Sequence, residues 1–255
     1  MLELRKIHKY FGGLHAVNDV SFRVDSGTVK AVIGPNGAGK TTLFNLIAGV
    51  IEPTSGSIRF KGKEIRGAKP HRIAEFGISR TFQNIKLFHG MSALENVMLG
   101  RHTRSRAGFL AGMLNLPHTW REEKQIRDKS MELLEMLDVA RYADSEATSL
   151  SFGQQRAVEM ARALATEPDL LLLDEPAAGL NIYETAEVAR LIGRMRDMGI
   201  TVLLVEHDMS LVMDISDEII VLSFGEKIAE DLPEAIQRNT EVIKIYLGED
   251  EEAAA

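Results

Sequence analysis

The chain has 255 residues, enough to bury a large hydrophobic interior, and sets 30 basic against 37 acidic side chains for a net charge of −7. That sign argues against a protein that wraps duplex phosphate with a basic face, so no nucleic-acid partner is expected. With no cysteine, disulfides, thiolate metal sites and thiol nucleophiles are excluded.

The N-terminus, Met1 to Tyr10, is interrupted by Glu3, Arg5, Lys6 and Lys9 and does not read as a signal peptide. Apolar runs such as Leu170 to Leu173 and Ile200 to Val205 fall far short of the ~20 residues of a membrane helix, so a soluble chain is expected. Two β-type runs open the sequence, Leu2 to Ile7 and Val17 to Val24, the second alternating through Val20, Phe22 and Val24. Thr28 to Ile33 reads as an apolar strand running into Gly34, with a helix-like stretch from Thr41 to Ala48 beyond it. Ile78 to Phe82 is strand-like and ends at Gln83. From Asn84 to Thr166 helical spacing dominates, with Ile126, Leu133, Leu134 and Leu137 on one face. Inside that lobe, Arg101 to Trp120 reads as an irregular, solvated loop carrying Arg101, Arg104 and Arg106. Leu170 to Leu173, Thr201 to Val205 and Ile219 to Leu222 then read as strands buried on both faces. The expected organisation is a core from 1–83 and 167–248, a helical lobe over 84–166, and a frayed acidic and alanine tail over 249–255.

Three features carry chemistry. Gly34-Pro35-Asn36-Gly37-Ala38-Gly39-Lys40-Thr41 fits the phosphate-loop pattern and sits between a strand and a helix, as its mechanism requires. Glycines let backbone N–H groups turn onto phosphates, the helix N-terminus adds about half a positive charge, Lys40 reaches the outer phosphates, and the Thr41 hydroxyl can ligate Mg²⁺, with Thr42 next in the same turn. Asp174 and Glu175 end the strand from Leu170; beside a phosphate loop, Asp174 can hold the Mg²⁺ shell and Glu175 can polarise the attacking water. Third, Leu150-Ser151-Phe152-Gly153-Gln154-Gln155-Arg156 precedes a helical run, where a Ser-x-Gly is by itself a good cap.

Taken in order, the phosphate loop, Gln83, the Leu-Ser-x-Gly-Gln run in the helical lobe, Asp174-Glu175 and His207 after a strand resemble the ATP-binding subunit of ABC transporters over nearly the whole chain. The resemblance implies an α/β fold, a P-loop NTPase core with a mixed and largely parallel sheet, an N-terminal antiparallel β subdomain and an inserted α-helical lobe. It implies ATP hydrolysis to ADP and phosphate. Two cassettes would pair head to tail, Ser151, Gly153 and Gln154 of one closing on the ATP held by the phosphate loop of the other. Gln83 would bind Mg²⁺ or water and report nucleotide state, and His207 would hold the γ-phosphate and support Glu175. Lys9-Tyr10-Phe11-Gly12-Gly13 resembles the family's adenine-stacking loop, with Phe11 preferred over Tyr10 and Val17 also at the nucleotide. The second cassette, identical or paralogous, transmembrane permease subunits and, indirectly, a periplasmic substrate-binding protein are the implied partners. The implied location is cytoplasmic, peripheral on the inner face of the membrane.

Phe152 stands where the commonest pattern has glycine, and Asn181 where many members carry Asp. Both departures, together with the run from Glu175 to Asn181, Glu206-His207-Asp208-Met209 and the Tyr246-Leu247-Gly248-Glu249 ending, resemble the larger ATPase subunit of bacterial importers for branched-chain amino acids. A GTPase or small-molecule kinase would share the phosphate loop, yet no Asn-Lys-x-Asp guanine reader is present. DNA- or ribosome-directed ABC ATPases resemble this fold with a coiled coil or second cassette for which 255 residues leave no room. The nearest alternative is the lipopolysaccharide exporter ATPase, which shares the Tyr-Leu-Gly-Glu-Asp ending. Cargo is not written in such a chain, because an ATPase subunit touches transporter helices. Ile85, Leu87, Phe88 and Met91 form either a docking patch for a permease helix or ordinary lobe packing.

Overall fold

Alternation of apolar and polar residues builds the first sheet, but with interruptions that set its register. The computed structural model describes residues 1–81, 83–101 and 117–252. Strand β1 (Leu2–Phe11) buries Leu2, Leu4 and Ile7, a spacing that strict period-two alternation forbids. A bulge between Leu4 and Ile7, with Lys6 at φ 47°, inserts the extra residue and returns Ile7 to the core face. Strand β2 (Leu14–Val24) pairs antiparallel with β1, and β4 (Ser55–Phe60) and the short β5 (Lys63–Glu64) complete a four-stranded sheet in the order β2-β1-β4-β5.

The second sheet is built from apolar runs that bury both faces. Strands β3 (Val29–Ile33), β7 (Leu170–Asp174) and β8 (Thr201–Val205) are buried at every residue. They run parallel beside β6 (Ile78–Arg80) and β9 (Glu218–Ser223), and β10 (Glu226–Asp231) closes the far edge antiparallel, giving the order β10-β9-β3-β8-β7-β6. One core joins the two sheets through Leu2, Leu4 and Phe22, through Phe44 and Ile47 of helix α1 (Lys40–Ile47), and through Leu172, Leu203 and Ile220. At about 25 cal/mol per Å² of apolar surface removed from water, this burial is the main driving force for the arrangement. These elements, with the helices α2 (Pro70–Glu75) and those after β7, belong to one compact unit formed by Met1–Arg80 and the chain from Asp169 onward.

Thr81–Pro168 forms a second compact unit. Helices α3 (Ala93–Arg101), α4 (Pro117–Met136) and α5 (Phe152–Leu164) pack around Leu94, Val97, Ile126, Leu134, Val158 and Met160. Among the described residues of this unit there is no strand, only an isolated bridge between Ser92 and Glu146. Gly100 lets α3 and α5 approach closely: a Cβ there would lie 2.2 Å from the carbonyl oxygen of Arg162. Both described ends of the span expected to be irregular, Arg101 and residues 117–120, are helical. Arg101 ends α3 and donates to Glu167 at 2.8 Å, and α4 starts at Pro117, a residue whose fixed φ suits the first helical turn. Arg104 and Arg106 lie outside the described residues, as does Phe82. The remaining helices of the first unit are α6 (Ile182–Asp197), α7 (Met209–Ile215), α8 (Pro233–Arg238) and α9 (Thr240–Glu252).

Candidate nucleotide site

Parallel strands present their C-terminal ends at one edge of a sheet, where ligands of open α/β folds bind. Val32 and Asp174 both pair with Val205, so the segments that follow β3, β7 and β8 emerge side by side. After β3 comes the glycine-rich loop. Gly34, Gly37 and Gly39 have φ of 147°, 80° and 98°, a backbone that side chains resist. Two of the three are also walled in. A Cβ on Gly34 would sit 2.1 Å from the carbonyl oxygen of Leu222, and one on Gly39 would sit 2.5 Å from that of Ala16. Ala38 is buried and accepts a bond from the amide of Gly225 at 3.1 Å. The loop is thus wedged between β2 and the β9–β10 turn, while Asn36 and Gly37 remain exposed.

Gly39 in the left-handed region caps α1, so the amides of Lys40, Thr41 and Thr42 form the first helical turn, where N–H groups have no intrahelical acceptor. Lys40 Nζ reaches back over the loop to the carbonyls of Gly34 at 2.5 Å and Pro35 at 2.8 Å. Amides, a helix N-terminus and an ammonium group converge on a concave, glycine-lined turn, which is a donor set for an anion. Thr41 is exposed at its rim.

Beyond β7, Asp174 is buried and its Oδ2 accepts from Arg80 at 2.7 Å, while Arg80 also reaches Asn45 of α1 at 2.6 Å. Arg80 therefore ties the ends of β6 and β7 to the helix that follows the glycine loop. Glu175 turns out of the strand with φ 49°, a left-handed conformation uncommon for a non-glycine residue. His207, exposed, places Nδ1 3.9 Å from Glu175 Oε2 and 3.8 Å from Glu206 Oε2. Glu206 itself is buried, and accepts from the amides of Ala177 at 2.8 Å and His207 at 3.1 Å. Burial pushes its carboxyl above the ordinary carboxylate range, against the pull of those amides, that of Asp208 and the His207 ring.

In the segment Lys9 to Gly13, Phe11 is exposed and has the ammonium of Lys9 5.0 Å from its ring centre. Tyr10 is exposed to nearly the same degree and is stacked on His15 at 3.8 Å, so each of the two rings has one neighbour against it. Val17 is buried in the core.

The remaining expected residues lie in the second unit. Ser151 caps α5 through a capping box: its Oγ accepts from the amide of Gln154 at 3.5 Å, and Gln154 Oε1 accepts from the amide of Ser151 at 3.0 Å. Phe152 is exposed and lies over the Arg156 guanidinium at 5.7 Å. Arg156 is buried, pairs with Glu159 at 3.0 Å and donates to the carbonyl of Gln83 at 3.0 Å, so the helix behind the Ser-x-Gly-Gln turn holds the Gln83 backbone. Burial raises the Glu159 carboxyl against the opposing Arg156 charge. Asn181, in the first unit, caps α6 by accepting from the amides of Tyr183 and Glu184 at 2.9 and 3.1 Å. Asn and Asp serve this role about equally, so the departure costs the helix nothing.

Glu206, Arg80 and Arg156 carry no expectation from the sequence. Glu206 had a usable signal, since it follows a buried parallel strand as Glu175 does, one strand over.

A glycine cradle at the end of β3, acids at the end of β7 and a histidine after β8 define a P-loop ATPase of the ATP-binding cassette class. The chain belongs to the ABC transporter family, which it matches over residues 17–178, and residues 226–252 match the family described as branched-chain amino acid ATP-binding cassette transporter. It is similar to the high-affinity branched-chain amino acid transport ATP-binding protein BraF of Pseudomonas aeruginosa, at 46% identity over 98% of each chain. The corresponding LivG protein of Escherichia coli is 41% identical over the same share of each chain. Among solved structures, the ADP conformation of MJ1267, an ATP-binding cassette of an ABC transporter, has a TM-score of 0.85 at 33% identity, covering 97% of this chain and 98% of that one. A dimeric, post-hydrolysis cassette, MJ0796 bound to ADP and phosphate, has a TM-score of 0.78 at 27% identity, covering 91% of this chain and 99% of that one. No described helix is long and apolar enough to cross a membrane.

Proposed function

We propose that this ATPase energises an importer of branched-chain amino acids, working as one of two paired cassettes docked on permease subunits at the inner face of the membrane and served by a periplasmic substrate-binding protein. The reading of the cargo rests on the BraF and LivG relatives and on the C-terminal family match.

For hydrolysis, the supporting observation is the 3.9 Å approach of His207 to Glu175 at the strand ends that also carry the glycine cradle. The ATP phosphates lie along the backbone N–H groups of residues 36–42, with Lys40 exchanging its loop carbonyls for the outer phosphates. Phe11 stacks on adenine. Glu175 orients the attacking water and takes up its proton, a role worth about 10²- to 10⁴-fold in rate. His207 holds the γ-phosphate and keeps Glu175 turned toward it. Thr41, Asp174 and Gln83 would hold a magnesium ion, which would supply neutralisation of the charge developing on the phosphates. One buried carboxylate, Asp174, with the neutral side-chain oxygens of Thr41 and Gln83 is a donor set that suits such an ion, since Mg²⁺ characteristically takes one or two carboxylates plus phosphate and water. Ser151, Gly153 and Gln154 present a second helix N-terminus to the γ-phosphate of the ATP on the opposite cassette. ADP lacks that group, so cleavage releases the pair.

Glu175→Gln removes the base and keeps the shape. Phosphate release should fall by at least 100-fold while ATP binding persists and ATP-bound dimers accumulate in size-exclusion chromatography; undiminished turnover would remove Glu175 as the base. Reconstituted with its permease, the native chain should drive ATP-dependent leucine uptake into vesicles, and uptake of an unrelated cargo alone would overturn the assignment of substrate.

A further inference from the structure

Strands β7 and β8 pair as far as Asp174 and Val205, and the last bond of that ladder is donated by the Glu175 amide to the Val205 carbonyl at 2.9 Å. Past this point two loops diverge, one carrying Glu175 and the other His207, and no regular ladder continues between them. The Glu206 side chain takes over. Its carboxylate is fully buried, with Oε1 accepting from Ala177 across the gap at 2.8 Å and Oε2 accepting from His207 on its own loop at 3.1 Å. Among the described residues its ion-pairing contact is His207 alone, at 3.8 Å; neither lysine nor arginine accompanies it.

A buried carboxylate is costly unless its oxygens are bonded, and here the bonds come from backbone amides of two separate loops. Such a group cannot relax without releasing one loop or the other. We infer that Glu206 is a positioning residue for hydrolysis, a carboxylate strut that holds the Glu175 turn and the His207 turn at a fixed separation. Its carboxylate oxygens are spent on the Ala177 and His207 amides, so it acts through those two loops. Its effect runs through the 3.9 Å spacing between His207 and Glu175 and through the left-handed turn at Glu175. Ala177 also starts the segment that leads to the Asn181 cap, so the same strut sets where α6 begins. This inference deepens the proposed reading of Glu175 as base and rests on it.

Glu206→Gln separates the two ideas. A glutamine offers one acceptor oxygen and one NH₂ group, so it can serve Ala177 or His207 but not both. The full chain, purified with its native subunits, is assayed for phosphate release and, separately, for ATP affinity. We expect kcat to fall by at least tenfold while the ATP dissociation constant stays within twofold, because the glycine cradle is walled by β2 and the β9–β10 turn and takes no bond from Glu206. A kcat within tenfold of the native value overturns the inference. So does a loss of kcat matched by an equal loss of ATP affinity, which would mark a general packing role. Should Glu206→Gln not fold, Glu206→Asp replaces it; the shorter stem keeps the charge but cannot span both amides, and the same thresholds apply. Glu175→Gln runs alongside. If it is inactive and Glu206→Gln is native, only the strut fails; if Glu175→Gln turns over normally, the reading beneath it fails.

Discussion

The phosphate loop and the Ser-x-Gly-Gln turn both place a helix N-terminus where an anion could sit, yet their shapes have different origins. Residues 34–39 are moulded from outside, with the backbone of Leu222 against Gly34 and that of Ala16 against Gly39. The turn at Ser151 is moulded from within: the capping box spans four residues, and Gln155 adds bonds to the carbonyls of Thr148 and Leu150 at 3.2 and 2.8 Å. Its outer residues Ser151 and Phe152 are exposed. A loop fixed by its surroundings can bind nucleotide in a single chain. On the proposed reading, a turn fixed only by itself is one half of a site that a second cassette completes.

The sharpest way to break this contrast is Gly34→Ala. The new methyl meets a carbonyl at 2.1 Å in a conformation alanine resists, which together cost about 2–6 kcal/mol, and we expect a melting temperature lower by on the order of 10 °C with ATP affinity reduced more than tenfold. Gly37→Ala is the control, since nothing lies within 4 Å of its Cβ and only the φ of 80° opposes it, at about 1–2 kcal/mol. Similar losses for both, by calorimetry and nucleotide titration, would show that conformation alone shapes the loop. A middle-sized effect comes from Ser151→Ala, which removes the cap acceptor at about 1 kcal/mol. If the turn is a half-site, turnover falls by more than tenfold while ATP binding to the isolated chain is unchanged; a weaker single-chain affinity would contradict it. The smallest effect belongs to Phe152→Gly. It loses the ring over Arg156 and adds a flexible helix residue, about 1–2 kcal/mol together, visible as a small drop in melting temperature with ATP affinity unaltered.

What the sequence could announce follows the same divide. The serine cap, the glycine pattern and the strands buried at every residue are local, and each was legible: Leu170 to Leu173 leading into Asp174 needs only its own neighbours to be read as a buried strand. The helical face through Ile126, Leu133, Leu134 and Leu137 was legible for the same reason; Ile126, Leu134 and Leu137 are buried and Leu133 is half-buried. Strand ends were harder. β1 runs on to Phe11 past a bulge that spoils its alternation, and helix α4 begins inside a stretch whose glycines and arginines look like loop. Pairings between distant residues were invisible, even where one member, such as Glu206 after its buried strand, carried a local signal. Arg80 meets Asp174 from 94 positions away, Arg156 meets Gln83 from 73, and Glu206 meets Ala177 from 29. No pattern in one segment encodes those pairings; they come from strand order.

The walls around the glycine cradle have a genetic corollary. The atoms nearest to a Cβ at Gly34 and at Gly39 are main-chain oxygens of Leu222 and Ala16, which every residue type possesses. Trimming a neighbouring side chain therefore opens no room there. A suppressor hunt starting from an alanine at position 34 should return true revertants almost exclusively, whereas one starting from a damaged Ser151 turn, built from replaceable side chains, has second-site solutions within reach.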